Sequence, residues 1–193
     1  TYNMPNGQIQ LGRVNTGVAE YLDRDQLGMP YEFGEFLQTI AGSPLTLSVF
    51  SDEPSWGLRY IGDYGAFDVD VSYHRIKDEI DFVSLLMGYD VQNYRFHLGY
   101  ETAFDDIPAG GDPVIHLGVD ADFGRWQASA IYTANPLFTS NREALRLYGV
   151  YEVTDRLDVG LSHTIMWSGG SADTLTGIGA RYDFTPDLYV KAD

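Results

Sequence analysis

Four histidines, scattered serines and a large excess of carboxylates are the groups in this 193-residue chain that could do chemistry. The histidines are His74, His97, His116 and His163. None stands in an H-x-H or H-E-x-x-H arrangement, so the sequence offers no transition-metal cage. The absence of cysteine removes thiolate ligands, a thiol nucleophile and any disulfide framework. Ser72 and His74 share a face if the segment is a strand, but two residues on one strand lie about 7 Å apart, too far for the hydrogen bond that activates a serine. Ser162 and His163 point to opposite faces. No phosphate-cradling glycine loop occurs. Enzymatic chemistry is unmotivated, and no catalytic residue is assigned. In the loop Asp105-Asp106-Ile107-Pro108-Ala109-Gly110-Gly111-Asp112, the carboxylates Asp105, Asp106 and Asp112 are candidate Ca2+ ligands. They lack EF-hand spacing, and solvated loop charge is the stronger reading. No other cofactor is expected.

The balance of charge is more informative than any single group. Against 12 basic residues stand 28 acidic ones, a net charge of −16, which repels nucleic acid and leaves no nucleic-acid partner to expect. Five of the acids, Glu20, Asp23, Asp25, Glu32 and Glu35, fall in residues 14–44, the one long stretch that does not repeat. Arg13, Arg59, Arg95 and Arg146 fall on or close to the polar faces of regular segments. What the acids and bases do together depends on the elements that place them.

From residue 45 onward the chain reads as strands and turns. Compact turn signals recur at Gly62-Asp63-Tyr64-Gly65, Asp90-Val91-Gln92-Asn93, Asp122-Phe123-Gly124, Thr154-Asp155 and Thr185-Pro186-Asp187. They lie about 30 residues apart, so the repeating unit is a β-hairpin with strands of about 10 residues. Longer connections, at 75–79, 103–113, 135–142 and 168–173, alternate with the tight turns. Within the strands the period is two. Phe67, Val69, Val71 and Tyr73 alternate with Asp68, Asp70, Ser72 and His74, and Tyr94, Phe96, Leu98 and Tyr100 with Arg95, His97, Gly99 and Glu101.

Such alternation fits a soluble sandwich with its apolar face inside or a membrane barrel with that face outside; the pattern does not choose. Aromatic placement does so in part. Tyr60, Tyr89, Tyr94, Trp126, Tyr151, Tyr182 and Tyr189 sit near tight turns, and Tyr73, Tyr100, Tyr132 and Trp167 near the opposite strand ends. Two such bands suit the two interfaces of a bilayer, although strands favour aromatics in any setting. No apolar run reaches the length of a membrane-spanning helix.

The segment Asn6-Gly7-Gln8-Ile9-Gln10-Leu11-Gly12-Arg13, the small residues that follow and the acidic stretch from Glu20 to Asp25 resemble the trimeric general porins of Gram-negative bacteria, particularly the alphaproteobacterial type. The stretch Thr176-Gly177-Ile178-Gly179-Ala180-Arg181-Tyr182-Asp183-Phe184 resembles a late strand and turn of the same family. The resemblance implies an all-β transmembrane antiparallel up-and-down β-barrel, with about 12 strands visible of a probable 16. It also implies one long loop folded into the pore. The simplest account of the missing strands is an internal portion of a longer porin, lacking the first strands and the last.

On that basis residues 1–193 form a single barrel domain, with 14–44 as a pore-constricting insertion and 45–193 as a hairpin-repeat wall. Glu20, Asp23, Asp25, Glu32 and Glu35 line the acidic side of the constriction, and Arg13, Arg59, Arg95 and Arg146 the basic side. Facing rows of fixed charge set a transverse field that polar solutes tolerate better than apolar ones. For any one of these residues, solvated loop charge or local pairing is the simpler reading. Phe33, Phe36, Leu37 and Ile40 have the spacing of a short amphipathic turn that packs the insertion against the wall. The expected function is passive diffusion of small hydrophilic solutes and ions across the bacterial outer membrane, with a preference for cations. The expected partners are outer-membrane lipid, lipopolysaccharide, small polar solutes and, by resemblance, two further copies in a homotrimer. The alternatives are a soluble secreted all-β binding protein and an outer-membrane β-barrel enzyme.

Overall fold

A computed structural model describes residues 1–22, 27, 55–76, 80–104, 112–136, 141–185 and 188–192. Twelve strands form one antiparallel sheet in strict chain order. They are β1 (Tyr2–Met4), β2 (Gly7–Gly12), β3 (Ser55–Asp63), β4 (Phe67–Ile76), β5 (Ile80–Val91), β6 (Tyr94–Ala103), β7 (Val114–Asp122), β8 (Trp126–Ala134), β9 (Arg142–Thr154), β10 (Leu157–Ser168), β11 (Ser171–Thr185) and β12 (Leu188–Ala192). Among the described residues between β2 and β3 lies one short helix, α1 (Gly17–Leu22). Each strand pairs with its chain neighbours, and among the described residues no pairing joins β1 to β12, so the sheet is an open up-and-down barrel wall.

The tight turns follow from their residues. In Asp63-Tyr64-Gly65 and Asp122-Phe123-Gly124 the aspartate carboxylate accepts the glycine N–H, at 2.9 and 2.8 Å. Gly65 and Gly124 then take φ of 82° and 74°, the left-handed region where a Cβ would be strained. Adjacent turns are also laced together. Asp90 N–H reaches the Ala66 carbonyl at 2.8 Å, Asp122 the Asn93 carbonyl at 2.9 Å, and Glu152 the Arg125 carbonyl at 2.9 Å.

At the other end, two of the four connections expected to be long are short. The strands β4 and β5 leave only residues 77–79 between them. The expected loop 168–173 is a two-residue turn, because Gly169 and Gly170 both adopt positive φ, 57° and 89°, and let β10 run straight into β11.

Which face is inside was open in the sequence and is settled in the fold. Asp70, Ser72 and His74 of β4 are buried, whereas Val71 and Tyr73 between them are exposed. Register carries the same choice round the sheet: Ser72 pairs with Ser84, Ser84 with Glu101, and Gly99 with His116. The polar set therefore forms the concave face. Leu58, Phe96, Leu98, Leu117, Leu147, Leu161 and Ile178 stand outward and exposed, with Ile178 at 68%. A water-soluble fold buries such residues; a continuous apolar belt of this size calls for a non-aqueous partner. Two details depart from regularity. Tyr189 of β12 pairs with Asp183 and lies under the Arg181 guanidinium at 4.3 Å, so it belongs to the concave face and leaves the aromatic band. His163 of β10 faces outward, its Nδ1 2.7 Å from Thr176 Oγ1, between Leu161 and Ile165 of the apolar belt.

Candidate functional site

The concave face is occupied by the start of the insertion. The insertion 14–44, expected as a non-repeating stretch, contains α1 near its start, and the helix's beginning is explained by Thr16. The Thr16 hydroxyl oxygen accepts the Ala19 N–H at 2.9 Å, an N-cap that satisfies one of the orphan donors of the first turn. A helix of six residues is too short to show a period, and its stability comes from what it buries. Val18, Tyr21 and Leu22 pack with Leu86 of β5 and Ile131 of β8 in one apolar cluster. The Tyr21 ring sits 4.0 Å from the His97 ring at an interplanar angle of 34°.

The wall makes room for this segment by omitting side chains. A Cβ on Gly99 would lie 3.1 Å from Val18, and the segment does the same in return, since one on Gly17 of α1 would lie 2.5 Å from Asp70 of β4. Cβ atoms on Gly118 and Gly160 would run into the Tyr21 hydroxyl and into Leu27. Leu27 is fixed further by its N–H, which donates to the Tyr148 hydroxyl of β9 at 3.3 Å.

The electrostatics are organised in clusters. Arg59 of β3, 4% exposed, forms a two-pronged pair with Glu20 of α1, both N–H···O distances being 2.7 Å. Its Nε also donates to both carboxylate oxygens of Asp70, at 3.0 and 2.9 Å. Arg95 of β6 pairs with Asp68 and, at 2.8 Å, with Asp90. Each of these guanidinium groups is therefore matched by two carboxylates. His97 Nε2 lies 2.9 Å from Asp120, and His116 Nδ1 lies 2.9 Å from Thr133 Oγ1. Glu101 of β6 is fully buried and accepts the Thr16 hydroxyl at 3.2 Å.

Of the residues expected to line a constriction, Glu20 and Arg59 are brought into direct contact, with no open gap between that acid and that base. Arg95 sits with its own wall carboxylates near the tight turns, Arg146 is buried on the inner face of β9, and Arg13 is exposed just past the end of β2. Asp23, Asp25, Glu32 and Glu35 lie outside the described residues, as do Phe33, Phe36, Leu37, Ile40, Asp105 and Asp106. Asp112 is exposed. Among the described residues no group of three or more His, Cys, Asp or Glu side chains is placed to hold a metal ion. Sequence reasoning placed Asp70, His97 and Glu101 on polar strand faces without giving them a role, and it missed Thr16. The available signal was a threonine directly ahead of a small-residue run.

Towards the tight turns the concave face stays open as a recess of about 670 Å3, lined in part by Asp90, Arg95, Asp120, Gln127, Ser129 and Tyr148. A polar, partly filled lumen that leads to an open recess can pass or hold hydrated solutes.

Solved structures give the fold a precedent. A variant of the Rh. blastica porin matches with a TM-score of 0.72 at 20% identity, over 99% of this chain and 68% of the porin. A triple variant of the Rhodopseudomonas blastica porin matches at a TM-score of 0.68 and 17% identity, with the same coverage. OmpT, an outer membrane protein of Vibrio cholerae, matches at a TM-score of 0.63 and 15% identity, over 93% of this chain and 62% of that one. No protein-family model matches the sequence, and no curated protein matches it. At these identities the likeness establishes the fold: this chain has the antiparallel up-and-down β-barrel wall seen in porins.

Proposed function

We propose that this chain forms a passive channel for small hydrophilic solutes and ions in a bacterial outer membrane, and that it is not an enzyme. The observation that carries the reading is the inverted polarity of the sheet. Asp70, Ser72, His74, His97, Glu101 and His116 line the inside, and an exposed aliphatic belt covers the outside. Strands that span a bilayer need this arrangement, and a soluble binding protein would need its reverse. The start of the insertion lies within the lumen and narrows it. The remaining acids, Asp23, Asp25, Glu32 and Glu35, continue that constriction in our reading, and residues 1–193 act as one barrel domain.

The channel prefers cations. Arg59 and Arg95 are each engaged by two carboxylates, so each cluster carries one net negative charge, and Glu101 and Asp120 add to the acidic side. A narrow lumen with low-dielectric walls concentrates the counter-ion of its fixed charge. The outer belt contacts lipid, with lipopolysaccharide at the outer leaflet, and part of it is covered by two further copies in a homotrimer. Asp105, Asp106 and Asp112 are proposed to bind calcium in the long loop after β6.

Purified protein in a planar bilayer tests the reading. Discrete conductance steps with a reversal potential favouring K+ over Cl− across a KCl gradient are expected. A ratio below unity would remove the cation preference, and recovery of the protein from washed cells without detergent would remove the membrane reading. Lipid hydrolysis lost on changing one Ser or His would instead support an enzyme.

A further inference from the structure

We infer that Glu101 is the positioning residue that seats the inserted segment against the wall, through the Thr16 hydroxyl. The inference rests on the channel reading for its consequence, though not for its geometry. Glu101 and Thr16 are both fully buried, 85 positions apart in sequence, and joined by a hydrogen bond of 3.2 Å. Thr16 uses its one proton on Glu101 and its lone pair on the Ala19 N–H. The same oxygen thus starts the helix and ties it to β6.

A carboxylate taken wholly out of water is costly unless its surroundings answer it. The Thr16 hydroxyl supplies one such contact. On the β7 and β8 side, His116 Nε2 stands 3.8 Å from the second Glu101 oxygen, beyond hydrogen-bond reach, and His116 Nδ1 is engaged by Thr133 at 2.9 Å, which fixes the ring plane. The arrangement runs from the insertion through β6 and β7 to β8, and all four side chains are buried.

It is also separate from the ion pair of Glu20 and Arg59. That contact is half exposed on the Glu20 side, at 52%, and is made by a different side chain one turn along α1, against β3 rather than β6. A solvent-exposed arm adapts and is screened, whereas a buried hydrogen bond to a charged group holds one geometry. Glu101 therefore sets where the segment begins its crossing of the lumen, and Glu20 adds a second, solvent-screened contact from α1 to β3.

The chain has no cysteine, so a single reporter thiol can read the seating. Ser72→Cys places it on the inner face of β4, buried between Asp70 and His74 on a strand that α1 covers. In protein reconstituted in lipid vesicles, the rate of reaction with a water-soluble maleimide measures how often the segment lifts. Glu101→Ala is expected to raise that rate roughly tenfold or more, as loss of a hydrogen bond to a buried charge implies. Glu101→Gln keeps an oxygen for Thr16 and is expected to stay near the parent rate. Thr16→Val is expected to exceed Glu101→Ala, because it also removes the helix cap on Ala19, and the double variant to add little beyond Thr16→Val, since the two changes share the Thr16–Glu101 bond. In a planar bilayer Glu101→Ala openings should be larger and noisier than the parent's, with Glu101→Gln close to parent.

A parent rate in Glu101→Ala, or additive effects in the double variant, would overturn the assignment. If Glu101→Ala does not reach the folded barrel, Thr16→Val carries the same test from the insertion side. A parent protein that never conducts would overturn the channel reading alone, leaving the maleimide rates to decide the role of Glu101.

Discussion

Replacing Arg59 by methionine separates a buried ion pair from an exposed one within a single cluster. Arg59 is 4% exposed and Asp70 7%, whereas the Glu20 side chain is 52% exposed. Arg59→Met keeps most of the aliphatic volume but leaves Asp70 buried with no guanidinium and Glu20 beside it with like charge. Breaking one side of a buried pair costs about 3–5 kcal/mol. Glu20→Gln leaves the Arg59–Asp70 pair whole and removes only a solvent-screened arm, which costs about 1 kcal/mol or less. The double change Arg59→Met with Asp70→Leu removes both charges and should recover most of the loss, because an apolar replacement of a buried pair is often neutral. Urea unfolding of the protein in detergent micelles, followed by the β-sheet circular dichroism signal, gives the three values. Selectivity supplies an independent readout: Arg59→Met should move the reversal potential further towards K+, and Glu20→Gln towards Cl−. If Glu20→Gln destabilises as much as Arg59→Met, or if the double change is no better than the single, the division into buried pair and exposed arm is refuted.

Two further outcomes follow from packing. Gly160→Ala should destabilise the seated insertion by about 1–3 kcal/mol, since the new methyl meets the side chain and carbonyl of Leu27; larger conductance steps and faster thiol labelling within the lumen check it, and unchanged values would show that Leu27 yields freely. His163→Leu should leave conductance unchanged and stabilise the barrel in lipid by about 1 kcal/mol or more, because His163 is a polar outward group between Leu161 and Ile165. A loss of stability on reconstitution would show that His163 meets a polar partner on that face.

Much of this fold was written in residues such as Phe67 to His74, where the period of two specifies a strand and the Asp63-Tyr64-Gly65 turn ahead of it specifies its start. Period two is symmetric, however. It sorts side chains into two sets without saying which set meets water, and that was decided only when register stacked Ser72, Ser84 and Glu101 on one concave surface. The short helix was illegible for a different reason. Its six residues have neither the length nor the charge pattern of an amphipathic helix, and they are held by side chains far away in the chain, among them Leu86, Ile131 and Glu101. Gly169-Gly170 was read only as part of a longer connection, 168–173, and not as a two-residue turn, since glycine permits positive φ without requiring it. The pairing of Arg59 with Glu20 needed both the facing of the strands and the presence of the helix, because it joins the wall's inner face to α1.

The strict chain order of the strands has a consequence for assembly. Every ladder from β3 to β12 joins elements that follow one another closely in the chain, so these hairpins can add one after another. The seam between β2 and β3 is different: it spans a segment of about forty residues, whose closure costs about 2 kcal/mol more entropy than a three-residue turn. The seat for that segment does not exist until later strands are in place, since α1 rests on β4 and β5 and meets Ile131 of β8. The seam therefore closes after the hairpins, and the insertion is gathered into a trough that is already curved.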